Sequence, residues 1–226
     1  MKRKIKKICA VFVIIVLLPY IITIFMNGKS IEANQDGKNG YIKVKTESGT
    51  KEVPLKEYCI GTLAKEISVD FEEEALKAQA VIVRTTIYKK IEEQGEKAVM
   101  TERFFTKSDM KNQWGRSAFQ KNYKKLERVW NETDGQVVMY NGQLAMVPFH
   151  QLSNGKTRIG KEVLGTDEYP YLQMKECPKD VEADGQMESK LIKAAGAQIT
   201  SQDSAGYVTG VKVGEETLNG ETFRDT

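Results

Sequence analysis

The stretch Glu66-Ile-Ser-Val-Asp-Phe-Glu-Glu-Glu-Ala-Leu-Lys-Ala-Gln-Ala-Val-Ile-Val-Arg-Thr-Thr-Ile-Tyr88 constrains the fold more than any other part of the chain. Leu76, Ala80, Val83 and Ile87 recur at helical spacing and form one apolar stripe. Asp70 is a suitable N-cap, and Glu73 three residues on approaches a capping box. Glu72, Glu73 and Glu74 would occupy the positive end of the helix dipole, with Lys89 and Lys90 at the negative end. Ala75, Ala78 and Ala80 permit close packing, so the pattern predicts a buried central helix. Lys77 and Arg84 are seven residues apart and share one face of it. Two cations inside an otherwise buried helix point to purposeful placement. The carboxylate Glu66 stands one turn ahead of the helix.

The N-terminus belongs to no globular core. Lys2, Arg3, Lys4, Lys6 and Lys7 precede an uncharged apolar run from Ile8 to Met26. About 20 apolar residues span a bilayer core as a helix. The basic flank would keep the tip inside and place the rest outside the cell membrane. The alternative is a cleaved signal peptide, but no small-x-small site follows Met26. Once those five cations are set aside, 29 basic residues face 31 acids, a net of −2. The formal +3 is therefore a topogenic signal, and nucleic acid is not an implied partner.

The expected organisation is a cytoplasmic tip and anchor over 1–27, a polar linker over 28–40 and one α+β domain over 41–226. Tyr41 to Lys45 alternates like a strand, with a turn at 47–50. Pro54 suits a first helical position, followed by Leu55, Cys59 and Leu63 at helical spacing, and Glu66 continues that face. A further helix is expected from Ser117 to Thr133, carrying Tyr123, Leu126 and Trp130. Asn141-Gly142 between two strand-like runs, 136–140 and 143–147, is a strong hairpin signal. Ser153-Asn154-Gly155 reads as a loop and Tyr207 to Val213 as a late strand. The order gives a central helix with antiparallel hairpins rather than a βαβ repeat. Cys59 and Cys177 would both lie outside, where one disulfide or two separate thiols are open alternatives.

Several chemistries are excluded by count. His150 is the single histidine, so a His-Glu-x-x-His zinc site cannot form. There is no Gly-rich phosphate loop and no Gly-x-Ser-x-Gly elbow. Carboxylate chemistry remains, although Glu66 taken alone reads as one solvated acid among many.

The motif around Glu66 changes that weight. Glu66-Ile67-Ser68, then Glu74-Ala75-Leu76-Lys77-Ala78-Gln79-Ala80-Val81 and Arg84-Thr85, resembles stage II sporulation protein D and the related amidase-enhancer proteins. The segment Phe149-His-Gln-Leu-Ser153-Asn154-Gly155-Lys-Thr157 resembles that family's aromatic-x-x-x-Ser-Asn/Gly-Gly-x-Thr loop. Thr133-Asp-Gly135, Tyr169-Pro-Tyr-Leu172 and Cys177-Pro178 follow in the family's order, so the likeness covers about Tyr41 to Asp180. It implies a lytic transglycosylase of septal peptidoglycan, active during engulfment in sporulation. Glu66 would be its acid/base, in an apolar wall for which Leu63, Ile67 and Phe71 are candidates. Lys77, Arg84, Ser153, Asn154, Gly155 and Thr157 would bind the glycan, or Lys77 and Arg84 would orient Glu66. Implied partners are a cell-wall amidase and a second membrane protein of the same complex; no cofactor is implied. A non-catalytic, glycan-binding activator of the amidase is the alternative role, and an inactive relative a third.

Three departures from the family pattern stand out. Ile67-Ser68 replaces Met-Pro. Some relatives bind zinc near the Ser-x-Gly loop, whereas His150 has no cysteine close by, so no zinc is expected. The family's Gly-His-Gly-x-Gly-Met-Ser-Gln segment does not occur before Thr226, from which a C-terminally shortened domain is expected.

Overall fold

The computed structural model describes residues 40–47, 49–95, 98–183 and 196–225. The Ile8–Met26 run and nearly all of the 28–40 linker lie outside them. Among the described residues no helix is long and apolar enough to cross a membrane. The chain divides into two compact units at Val147/Pro148. Both mix helices with small sheets, as the element order had implied.

The first unit opens with an antiparallel hairpin, β1 (Tyr41–Thr46) and β2 (Gly49–Pro54), in register from Tyr41–Pro54 to Thr46–Gly49. Alternation along β1 turns Ile42 and Val44 into the core and leaves Tyr41, Lys43 and Lys45 exposed. The short β3 (Val99–Met100) joins β1 in parallel, giving the order β2-β1-β3. Three helices share a core with this sheet: α1 (Leu55–Glu66), α2 (Glu73–Gln94) and α3 (Lys107–Glu132). Their apolar faces meet in one core of Tyr58, Ile60, Leu63, Leu76, Val83, Leu126 and neighbours. Each such side chain contributes about 1.5–3 kcal/mol when fully buried.

The predicted stripe Leu76, Ala80, Val83 and Ile87 is buried. The ends of α2 differ from expectation. Its N-cap is Glu72, without a side-chain cap, rather than Asp70. Lys125 of α3 donates to the carbonyls of Val69 and Phe71, which holds that segment in a turn and delays the helix. At the far end α2 runs on to Gln94, so Lys89 and Lys90 are not in the last turn. They pair instead with Glu93 and Glu102. Ala78 is exposed, so of the three alanines it is not one that faces the core.

Helix α3 starts ten residues before the expected Ser117. Thr106 and Asp109 form a capping box there, and Gly115, at φ 75°, kinks the helix where the sequence pattern begins. The Asn141-Gly142 turn is present, with φ of 50° and 78°. Its strands shrink to β4 (Met139–Tyr140) and β5 (Gln143–Leu144) because α2 side chains claim the flanking backbone groups. Thr85 Oγ1 accepts from Val138 N–H at 2.9 Å, and the Gln136 carbonyl accepts from Arg84.

The second unit begins with a loop followed by α4 (Gly160–Leu164) and a 3-10 turn (Pro178–Glu182). A meander of β6 (Ala197–Gln202), β7 (Val208–Val213) and β8 (Glu216–Asn219) follows, closed by α5 (Gly220–Asp225). The 207–213 strand was legible in the sequence; its two partners were not.

Candidate functional site

Glu66 is the last residue of α1. Its Oε2 accepts a hydrogen bond from Gln79 Nε2 of α2 at 2.7 Å. Gln79 is only 3% exposed, a polar side chain set among the buried residues of α2. Leu63, one turn back, is fully buried, and Ile67, half-buried, packs against the core. Phe71, expected in the same wall, is instead 55% exposed: the turn at 68–71 points it outward.

Burial raises the Glu66 carboxyl above its ordinary value, and the negative charge of Glu102 adds to this. The Gln79 hydrogen bond and Lys65 act in the opposite direction and do not cancel the rise. Position on the helix favours the same outcome, since an anion at a helix C-terminus meets the negative end of the dipole. A carboxyl of this kind holds its proton at higher pH than a surface glutamate and can both give and take one.

Lys77 and Arg84 share one face of α2, as predicted, and that face looks at the end of α3. Lys77 Nζ reaches Glu132 at 3.0 Å and Glu74 at 2.9 Å, with Glu73 at 3.7 Å. Arg84 is 1% exposed. Its guanidinium donates to the carbonyls of Thr133 (2.7 Å), Trp130 (2.9 Å) and Gln136 (3.2 Å), and stacks 3.9 Å from the Trp130 ring centroid. These carbonyls lie at or beyond the C-terminus of α3, where a cation satisfies groups that the helix leaves unpaired. The enclosed guanidinium has its donors directed at protein carbonyls. The Arg84-Thr85 pair of the motif holds the chain together after α3.

The four expected ligands of the second unit are bonded to other segments of that unit. Ser153 is buried, and both its hydroxyl (2.6 Å) and its N–H (2.9 Å) donate to Asp180 Oδ2. Asn154 Nδ2 donates to the Ala205 carbonyl at 3.2 Å, while Tyr207 Oη accepts from Asn154 N–H and donates to the Lys156 carbonyl. Gly155 takes φ 99°, a backbone that favours glycine, and its carbonyl accepts from Cys177 N–H at 2.7 Å. Thr157 lines a mainly apolar cavity of about 490 Å³ with Phe149, His150, Arg158, Tyr171 and Tyr207. Among the described residues no group of three or more His, Cys, Asp or Glu side chains could hold a metal. Cys59 is buried and Cys177 half-buried, and both are free thiols.

Sequence reasoning missed Gln79, Asp180 and the half-buried ion pair of Arg158 with Asp203. Gln79 carried a signal: an amide three residues after Leu76 intrudes on an apolar stripe and needs a partner. Asp180 and Asp203 carried none, because nothing in their local sequence marks an acid that will bind a distant loop.

The first unit is thus an α+β scaffold that holds a half-buried carboxyl at the junction of two packed helices. Residues 43–140 match the family described as Stage II sporulation protein. Through this segment the chain is similar to that family. It is also similar to stage II sporulation protein D of Bacillus subtilis (strain 168), with 29% identity over 192 residues, covering 76% of this chain and 55% of that protein. Stage II sporulation protein D of Bacillus amyloliquefaciens gives the same identity and coverage. The chain therefore spans about half the length of these curated relatives.

Proposed function

We propose that this protein is a lytic transglycosylase that cleaves peptidoglycan glycan strands during sporulation, with Glu66 as its acid/base. The observation that carries this is the Glu66 carboxyl itself: half-buried, raised from its ordinary value by that burial and lying within the family-matched segment. Hydrolytic glycosidases use two carboxyl groups. Intramolecular attack needs one. Glu66 would protonate the glycosidic oxygen as the bond from C1 of N-acetylmuramic acid breaks, releasing N-acetylglucosamine. The resulting carboxylate would then accept the proton of the 6-hydroxyl as that oxygen bonds to C1 and closes a 1,6-anhydro ring.

Lys77 and Arg84 support Glu66 in this proposal by fixing α2 against α3; within the second unit, Thr157 of the 153–157 loop would offer a glycan contact of its own. Ile8–Met26 would anchor the chain with its domain outside the cell membrane, beside an amidase that removes stem peptides. The test is digestion of peptide-free glycan strands followed by chromatography for anhydro-muramic ends. Glu66→Gln should lower cleavage by about 10²–10⁴-fold while the protein stays folded. Equal activity in parent and variant would refute the assignment of the acid. A parent that yields no anhydro ends but accelerates a partner amidase would establish the activator role in its place.

A further inference from the structure

The contact between Glu66 and Gln79 assigns work to a residue that the motif did not single out, and it rests on Glu66 being the acid/base. A carboxyl has two oxygens, and a proton-transfer group must offer one of them in a fixed direction. Here Oε2 is engaged at 2.7 Å by an amide that is almost wholly enclosed. The amide is itself held rigidly: it projects from α2 between Leu76 and Ala80, both fully buried, and α2 packs on α1. Glu66 is at the end of α1, so the bond also ties that end to the neighbouring helix.

We propose that Gln79 is the positioning residue of the Glu66 carboxyl, holding Oε2 so that Oε1 is the oxygen that exchanges a proton with the glycan. An amide suits this task better than a cation. It donates to the carboxylate without adding a full charge that would strip the carboxyl of its proton. The charged groups that act on Glu66 are Lys65 beside it on α1 and Glu102 from the segment after β3; from α2 the polar contact is Gln79. Because the amide favours the ionised form, its loss should move the Glu66 midpoint upward.

The test compares the full chain with Gln79→Met, which keeps most of the volume and removes the donor. We expect kcat on peptide-free strands to fall by up to about 10²-fold with KM unchanged. The pH at which activity is lost through ionisation of Glu66 should rise, and a 13C titration of the Glu66 carboxyl should show the same displacement. A merely structural role for Gln79 would lower the melting temperature without moving either midpoint. A second measurement needs no variant. In the parent, the side-chain amide signals of Gln79 should titrate with the midpoint of the Glu66 carboxyl. A pH-independent amide signal, or an unmoved midpoint in folded Gln79→Met, overturns this proposal alone. Absence of anhydro products from the parent overturns it together with the assignment of Glu66.

Discussion

Replacing Arg84 tests whether the family motif encodes contacts with a ligand or the architecture around one. The perturbation is Arg84→Met, which fills much of the space and removes every donor. Three carbonyls now accept from Arg84 at 2.7, 2.9 and 3.2 Å. Hydrogen bonds to a charged group contribute about 1.5–3 kcal/mol each, and each buried acceptor left alone costs about 1–3 kcal/mol. These terms overlap and do not add. The stacking on Trp130 contributes up to about 2 kcal/mol for a desolvated pair. The buried guanidinium also carries a desolvation cost, which the variant removes. Together they give a loss of roughly 3–5 kcal/mol, the range found when one partner of a buried charged interaction is deleted. That is a large part of a typical total stability of 5–15 kcal/mol. Urea unfolding followed by tryptophan fluorescence is the assay, since Trp130 lies in the contact. With a slope of about 1–3 kcal/mol per molar, the midpoint should fall by more than about 1 M. Arg84→Lys should recover only part of the loss, because a point donor cannot span three carbonyls. Unfolding within about 0.5 kcal/mol of the parent would refute the structural role and return Arg84 to the ligand-binding candidates.

Glu66→Gln should be more heat-stable than the parent at neutral pH. The folded carboxyl titrates above its ordinary value of 4.5, so the folded state binds the proton more tightly and ionisation costs stability as pH rises through the raised midpoint. That advantage should vanish below the ordinary value, which melting curves across pH would check. Gly61→Ala should destabilise by about 1–3 kcal/mol, because an added Cβ would lie 2.3 Å from the Phe105 carbonyl oxygen and 2.7 Å from the Phe104 ring; denaturant midpoints measure this. Cys177 should react with iodoacetamide well before Cys59, whose thiol is enclosed and pushed up to about 12 by burial. Peptide mass mapping over time would show the order, and equal rates would refute the enclosure of Cys59.

Periodicity alone determined the buried stripe of α2, because a 3.6-residue repeat of Leu76, Ala80, Val83 and Ile87 has one way to meet a core. It also determined the Asn141-Gly142 turn, whose positive φ angles those two residues tolerate, and the alternating strand β1. Glu66, Lys77 and Arg84 were legible as a motif, and Lys77 and Arg84 as neighbours on one helix face. What those groups touch was decided by tertiary structure. Asp70 lost the cap when Lys125 claimed the carbonyls beside it, and Arg84 turned inward because the end of α3 presented unpaired carbonyls. Gln79 became the partner of Glu66 only once α1 and α2 lay side by side. Local sequence fixes which residues share a face, since that depends on backbone geometry within one element. Hydrogen-bond partners 13 to 56 positions apart depend on how elements dock, and docking is set by the whole core at once.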